Sequence, residues 1–134
     1  MRYGICKLSV VPMRKEASHK SELVSELLFN DIYQIIDENE EWLKIQCMYD
    51  LYEGWIRKLQ HNEINDNELR DYISKDKYIV NVPVLSYENM IISFGSKVFQ
   101  NIEGTIPLSK NYDPDILTDS AFKMLNVPYR WGGT

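Results

Sequence analysis

The chain has 134 residues, of which 44% are hydrophobic and 26% charged, with a net charge of −5. A chain of this length and balance builds one domain, or two very small ones sharing a surface, and has no disorder signature and no apolar run long enough to span a bilayer. Its acidity excludes tight binding to nucleic acid, where Lys and Arg must neutralise phosphates, and argues against tight binding to polyanionic wall polymers.

Residues 3–11 read as a first strand, with Ile5, Leu8 and Val10 apolar and Lys7 and Ser9 between them. A polar loop follows at residues 15–21, then a second apolar run at 22–28. Asn30-Asp31 is a turn signal. Residues 32–36 are rich in β-branched and aromatic side chains and form a strand. Asp37-Glu38-Asn39-Glu40 is a solvated turn, and residues 42–47 alternate cleanly as the next strand. Residues 51–57 close the set. Five short strands at close spacing are the pattern of a small barrel.

Residues 62–76 are polar, with Ile64, Leu69, Tyr72 and Ile73 giving a weak helical stripe, so a short linking helix is expected there. Residues 78–107 return to β pattern, with strands expected at 78–82, 90–94 and 97–99 and a break at Gly95-Ser96. Asp113-Pro114-Asp115 opens a helix well, since Asp113 caps, Pro114 suits the first position and Asp115 faces the positive dipole end. Ile116, Leu117, Ala121, Met124 and Leu125 form its apolar stripe, and Asn126 with Pro128 ends it. The chain closes on Tyr129-Arg130-Trp131-Gly132-Gly133-Thr134, an aromatic, glycine-rich run that needs something to pack against.

Cys6 and Cys47 lack the CxxC or Cys/His spacing of a zinc site, and one disulfide is compatible with them. A dyad of Cys47 with His19 or His61 is the sharper reading. The blander one, which alternation favours, makes both cysteines small buried hydrophobes. Neither a metal nor a cofactor is expected. Residues 1–6 contain no signal-peptide core, so a cytoplasmic location is expected, or a periplasmic or cell-wall one had a leader been trimmed.

Taken in order, Val11-x-Met13-Arg14, Ser18-x-x-Ser21-Glu22-x-Val24, Asp31-x-Tyr33-x-Ile35, Trp42-x-Lys44-Ile45 and Gly54-Trp55-Ile56 resemble a bacterial SH3 (SH3b) domain. The tail Tyr129-Arg130-Trp131-Gly132-Gly133 resembles the opening of an NlpC/P60 cysteine peptidase domain, whose nucleophile follows in an Asp-Cys-Ser-Gly run. The combined order resembles the dipeptidyl-peptidase VI type, in which two SH3b modules precede the NlpC/P60 domain. The resemblance implies a mainly β fold: an SH3b domain at 1–60, a linker at 61–77, a degenerate second SH3b-like module at 78–112, and the first helix and start of a truncated NlpC/P60 domain at 113–134. The implied activity is that of a γ-D-glutamyl-L-diamino acid endopeptidase acting on murein peptide with a free N-terminal L-Ala. No catalytic residue would lie in the present chain. The alternative is a non-catalytic SH3b module that binds peptidoglycan peptide or a protein partner.

Within that resemblance Tyr129 matches the motif tyrosine and can hydrogen-bond the bound peptide, or simply pack against the peptidase domain. Glu53 or Asp50, just before the Gly-Trp strand, can pair with the substrate ammonium, a charge-assisted bond worth about 1.5–3 kcal/mol. Tyr87 can form a pocket wall. Position and chemistry, not a motif, carry these last three. Trp42 and Trp55 serve either as barrel packing or as ligand platforms.

Overall fold

The computed structural model describes residues 1–108. The helix expected from Asp113 and the tail with Tyr129 lie outside the described residues. Six strands come first: β1 (Arg2–Ile5), β2 (Val10–Arg14), β3 (Leu23–Leu28), β4 (Ile32–Glu38), β5 (Trp42–Cys47) and β6 (Glu53–Arg57). A 3-10 turn at Lys58–Gln60 leads to β7 (Glu63–Ile64) and helix α1 (Asp66–Ser74). The remaining strands are β8 (Lys77–Val80), β9 (Val84–Tyr87), β10 (Met90–Ser93), β11 (Lys97–Val98) and β12 (Thr105–Leu108). The fold is mainly β, antiparallel and SH3b-like.

The first seven strands form one sheet in the order β3-β2-β6-β5-β4-β1-β7. Val11, Met13, Leu27, Tyr33, Leu43, Ile45, Cys47 and Ile56, from five of these strands, meet in a single buried cluster. Only a sheet that curls on itself can bring those faces together. Two bulges help it curl, between Met13 and Arg14 and between Ile35 and Asp37. The second explains the exposure of Ile36: it is the residue skipped when the register shifts, so the apolar pair Ile35-Ile36 splits between core and solvent. Gly54 allows β6 to cross β2 closely, since a Cβ there would stand 3.0 Å from Met13 Cβ and 3.1 Å from the Arg14 carbonyl.

The single strand expected over residues 3–11 is two strands. β1 pairs with β4 and β7, whereas β2 pairs with β3 and β6. The chain must cross between them at residues 6–9. Cys6 anchors the crossing, donating its N–H to the Asp31 carbonyl and accepting from the Asn30 N–H. Ile5 and Cys6, on either side of the point where β1 ends, are both buried. The linking helix is shorter than expected because Glu63–Ile64 adds to the sheet instead. Asn65 and Glu68 form a reciprocal capping box that starts α1. Leu69 and Tyr72 turn one face of α1 onto Ile5, Ile32 and Ile64.

Residues 77–108 make a three-stranded sheet, β11-β8-β12, and a two-stranded hairpin, β9-β10. Two of these strands were not expected. β9 follows Pro83 and ends in the two-residue turn Glu88-Asn89, both at positive φ, a type I′ geometry without its usual glycine. β12 contains Pro107, which is tolerated because β12 is an edge. The core here is Val80, Ile92 and Val98, completed by Phe29 from the first sheet.

Phe29 belongs to the joint between the modules. The turn at residues 28–31 is held by Asp31 Oδ2 accepting the Leu28 N–H at 2.8 Å, with Asn30 at φ 67°. Asn30 Nδ2 donates to the Lys97 carbonyl, and the Lys97 N–H donates to the Phe29 carbonyl. Lys97 Nζ meets Asp31 Oδ1 at 2.5 Å, with both side chains under a tenth exposed. Removing one partner of such a pair strands a buried charge. Lys97→Met is therefore expected to lower the unfolding free energy by about 3–5 kcal/mol in urea titration. Adding Asp31→Asn, which keeps an acceptor for Leu28, recovers much of that loss. Gly54→Ala is expected to cost about 1–3 kcal/mol through overpacking at the β6–β2 crossing, in the same assay.

Candidate functional site

The connection from β5 to β6, residues 48–52, is short and tightly bonded. The Cys47 N–H donates to the Tyr52 carbonyl and the Leu51 N–H to the Cys47 carbonyl. Leu51 sits in the left-handed region at φ 64°. Asp50 Oδ1 caps the turn by accepting the Tyr52 N–H at 3.0 Å. These bonds hold the backbone in a shape that turns Met48, Tyr49, Leu51 and Tyr52 outward, Leu51 65% and Tyr52 56% exposed. Four exposed apolar or aromatic side chains in five residues are unusual for a solvated turn.

Glu53 opens β6 directly after this rim, half exposed, with Lys44 Nζ 3.9 Å from its carboxylate. Asp50 and Glu53 thus stand on one loop and its strand end, two acids with an apolar collar. That combination suits an ammonium group carried on a small aliphatic residue. Tyr49 also reaches the second module, where Lys97 Nζ lies 4.0 Å from its ring centroid. Tyr87 is placed elsewhere: it lies on β9, its ring 5.8 Å from Phe29, half buried in the second core. Burial, with Glu88 adding, pushes its phenol above the ordinary value. Tyr129 lies outside the described residues.

Both cysteines are free and buried. Burial pushes each thiol up to about 12, so both stay protonated near neutrality and neither is a thiolate nucleophile. The ring of His19 meets Trp42 edge-on at 5.1 Å, and the hydrogen bonds of His61 go to Tyr33 and Glu63. No group of three or more candidate metal ligands occurs among the described residues. Among them, too, no helix is long and apolar enough to cross a membrane.

His61 belongs to a chain of polar contacts that sequence reasoning missed. The Asn62 N–H donates to the Tyr33 hydroxyl oxygen, and the same hydroxyl is hydrogen-bonded with His61 Nδ1 at 2.8 Å. His61 Nε2 carries the hydrogen that it donates to Glu63 Oε1 at 2.9 Å. Arg2 grips the same carboxylate through Nε and Nη2. Gly4 makes room for it, because a Cβ there would stand 2.5 Å from the Tyr33 ring. No local sequence signal announces it, since Arg2 and Glu63 stand 61 residues apart.

Hydrogen bonds from Arg2 first and His61 second lower Glu63 from 4.5 to about 2. A lowered carboxylate stabilises the fold above its unfolded value and loses that contribution as pH falls through its folded one. The melting temperature should therefore fall as pH drops from about 4.5 to about 2, and Glu63→Gln should flatten that limb, read by thermal melts across the acid range. Partial exposure of the pair keeps the effect modest.

Residues 13–60 match the family model described as the bacterial dipeptidyl-peptidase Sh3 domain. Among solved structures, an NlpC/P60 family protein from Bacillus cereus superposes with a TM-score of 0.73 at 14% identity, over 98% of this chain and 66% of that one. At that identity the likeness is one of fold. No curated protein matches the chain. The stretch from the end of β2 through the 3-10 turn, which carries the rim and both barrel tryptophans, is thus similar to the SH3 domain of bacterial dipeptidyl-peptidases.

Proposed function

We propose that this chain is the substrate-gating SH3b region of a cell-wall-peptide cysteine endopeptidase. It works with an NlpC/P60 domain that cuts between γ-D-Glu and the diamino acid of peptides with a free N-terminal L-Ala. The observation that carries this reading is the rim of Asp50 and Glu53 with its exposed Met48, Leu51 and Tyr52, inside the segment that matches the dipeptidyl-peptidase SH3 family. The acids take the L-Ala ammonium and the collar takes its methyl group. A glycan-linked peptide has no ammonium there and is turned away. Tyr129 would add a contact from the peptidase side.

The test joins the chain to an NlpC/P60 catalytic domain and compares L-Ala-γ-D-Glu-diamino acid with its N-acetylated form. Acetylation is expected to lower kcat/KM by about 10- to 150-fold, the worth of one charge-assisted hydrogen bond. Glu53→Gln, or Asp50→Asn if that acid is the partner, should erase most of the difference. Equal cleavage of both peptides would sink the gating role. Tight, amine-independent binding by the 134-residue chain alone would point instead to a stand-alone docking module.

A further inference from the structure

Strand β6 has two faces of different character. Gly54 and Ile56 point inward, Ile56 into the main core. Glu53, Trp55 and Arg57 therefore share the outer face. Across the ladder, Gln46 stands opposite Glu53, Lys44 opposite Trp55, and Trp42 opposite Arg57. On the other side Arg14 stands opposite Trp55. The outer face thus carries an acid at one end, an indole between two cations, and then an arginine beside a second indole. Three cations gather here on a chain whose net charge is −5.

Arg57 differs from the other described arginines. Arg2 binds Glu63 and Glu38, Arg14 donates to the Ser21 carbonyl, and Arg70 donates to Asn67. Among the described residues Arg57 makes no such bond, and its Nε is shut off from solvent with no acceptor. A buried N–H without an acceptor is destabilising, more so when it belongs to a charged group. Native structures rarely keep such a group without a reason. A guanidinium offers parallel donors spaced for a carboxylate, and the half-buried Trp55 indole offers a flat apolar surface, whereas Trp42 is buried under His19.

We propose that Arg57 is a carboxylate-binding residue, and that the β6 outer face holds an extended acidic peptide with Trp55 beneath it. The inference rests on the gating reading for its ligand and extends it by giving the peptide a direction. The ammonium lies at the Asp50/Glu53 rim and the carboxylate at Arg57. Two residues of strand advance about 6.6 Å, so Glu53 and Arg57 stand about 13 Å apart along β6. An extended tripeptide with its charged ends spans about the same length. Lys44 and Arg14 flank the path and add attraction for the carboxylates.

The experiment follows the Arg57 Nε–H resonance of the labelled 134-residue chain during titration with L-Ala-γ-D-Glu-L-Lys. The same titration is run with the peptide whose carboxyl groups are all amides. The acid form is expected to shift the resonance saturably and the amide form to leave it in place. Arg57→Gln should weaken binding of the acid form about tenfold or more, followed by tryptophan fluorescence, and Arg57→Lys by less. The unmodified chain reports by resonance even if a variant folds poorly. Equal binding of acid and amide forms, or no saturable shift at millimolar peptide, would overturn the assignment. The N-acetylated peptide separates the two ideas: acetylation challenges Glu53 and Asp50, amidation challenges Arg57.

Discussion

The structure depends on one buried ion pair, Asp31 with Lys97, and on the turn at residues 28–31 that presents it. Taking both charges out of water is expensive, and further hydrogen bonds from the turn help to hold the pair. Asp31 accepts from Leu28 as well as from Lys97, and Asn30 bonds Cys6, Lys7 and Lys97 at once. Phe29, carried on the same turn, completes a core that Val80, Ile92 and Val98 leave open. The second module is small, and without Phe29 its apolar interior would lack its largest buried side chain. The two halves therefore fold as neighbours with a shared interior.

That joint reaches the candidate site. Lys97 lies under the ring of Tyr49, and Tyr49 belongs to the β5–β6 rim. Met48, next to it, bonds the Ile32 carbonyl, one residue from Asp31. The rim is thus fixed at one end by the joint and at the other by the β5–β6 ladder. A loop held at both ends can present exposed Leu51 and Tyr52 without collapsing, because its backbone hydrogen bonds are already made. Ordering such a loop costs little when a ligand arrives. The cation that locks the modules is also the cation that positions an aromatic residue of the rim.

Much of the first barrel was legible because its strands obey simple alternation. Residues 42–47 read as a strand and are one, with Leu43, Ile45 and Cys47 inward. The Gly54-Trp55-Ile56 run marked the last barrel strand for a reason the structure makes physical: a Cβ at position 54 would crowd Met13 and Arg14. What failed to show was long-range. The crossing at residues 6–9 depends on pairing with Asn30 and Asp31, far along the chain. The strands at 84–87 and 105–108 hide behind Pro83 and Pro107, which suppress a strand reading although an edge tolerates them. Lys97 stood in an expected strand at 97–99, and nothing local announces a partner 66 residues away. Among the candidate site residues, Asp50 and Glu53 were singled out by their place before the Gly-Trp strand. Arg57 was invisible, since its peculiarity is a missing partner, which no sequence displays.

The rim and the outer face share one strand, and this constrains how any ligand can use them. Glu53, Trp55 and Arg57 are held at fixed intervals by the ladder to β5, so their spacing cannot adapt to ligand length. Inward, Gly54 and Ile56 lock the same strand to the core. A rigid row with opposite charges at its ends selects for length and direction together. A peptide bound backwards would set ammonium against Arg57 and carboxylate against Glu53, two like-charge meetings at once. The Lys44–Glu53 contact, at 3.9 Å and half exposed, is loose enough to yield to an incoming ammonium. The inner face of β6 makes the barrel, and its outer face has the polarity to read a short zwitterionic peptide.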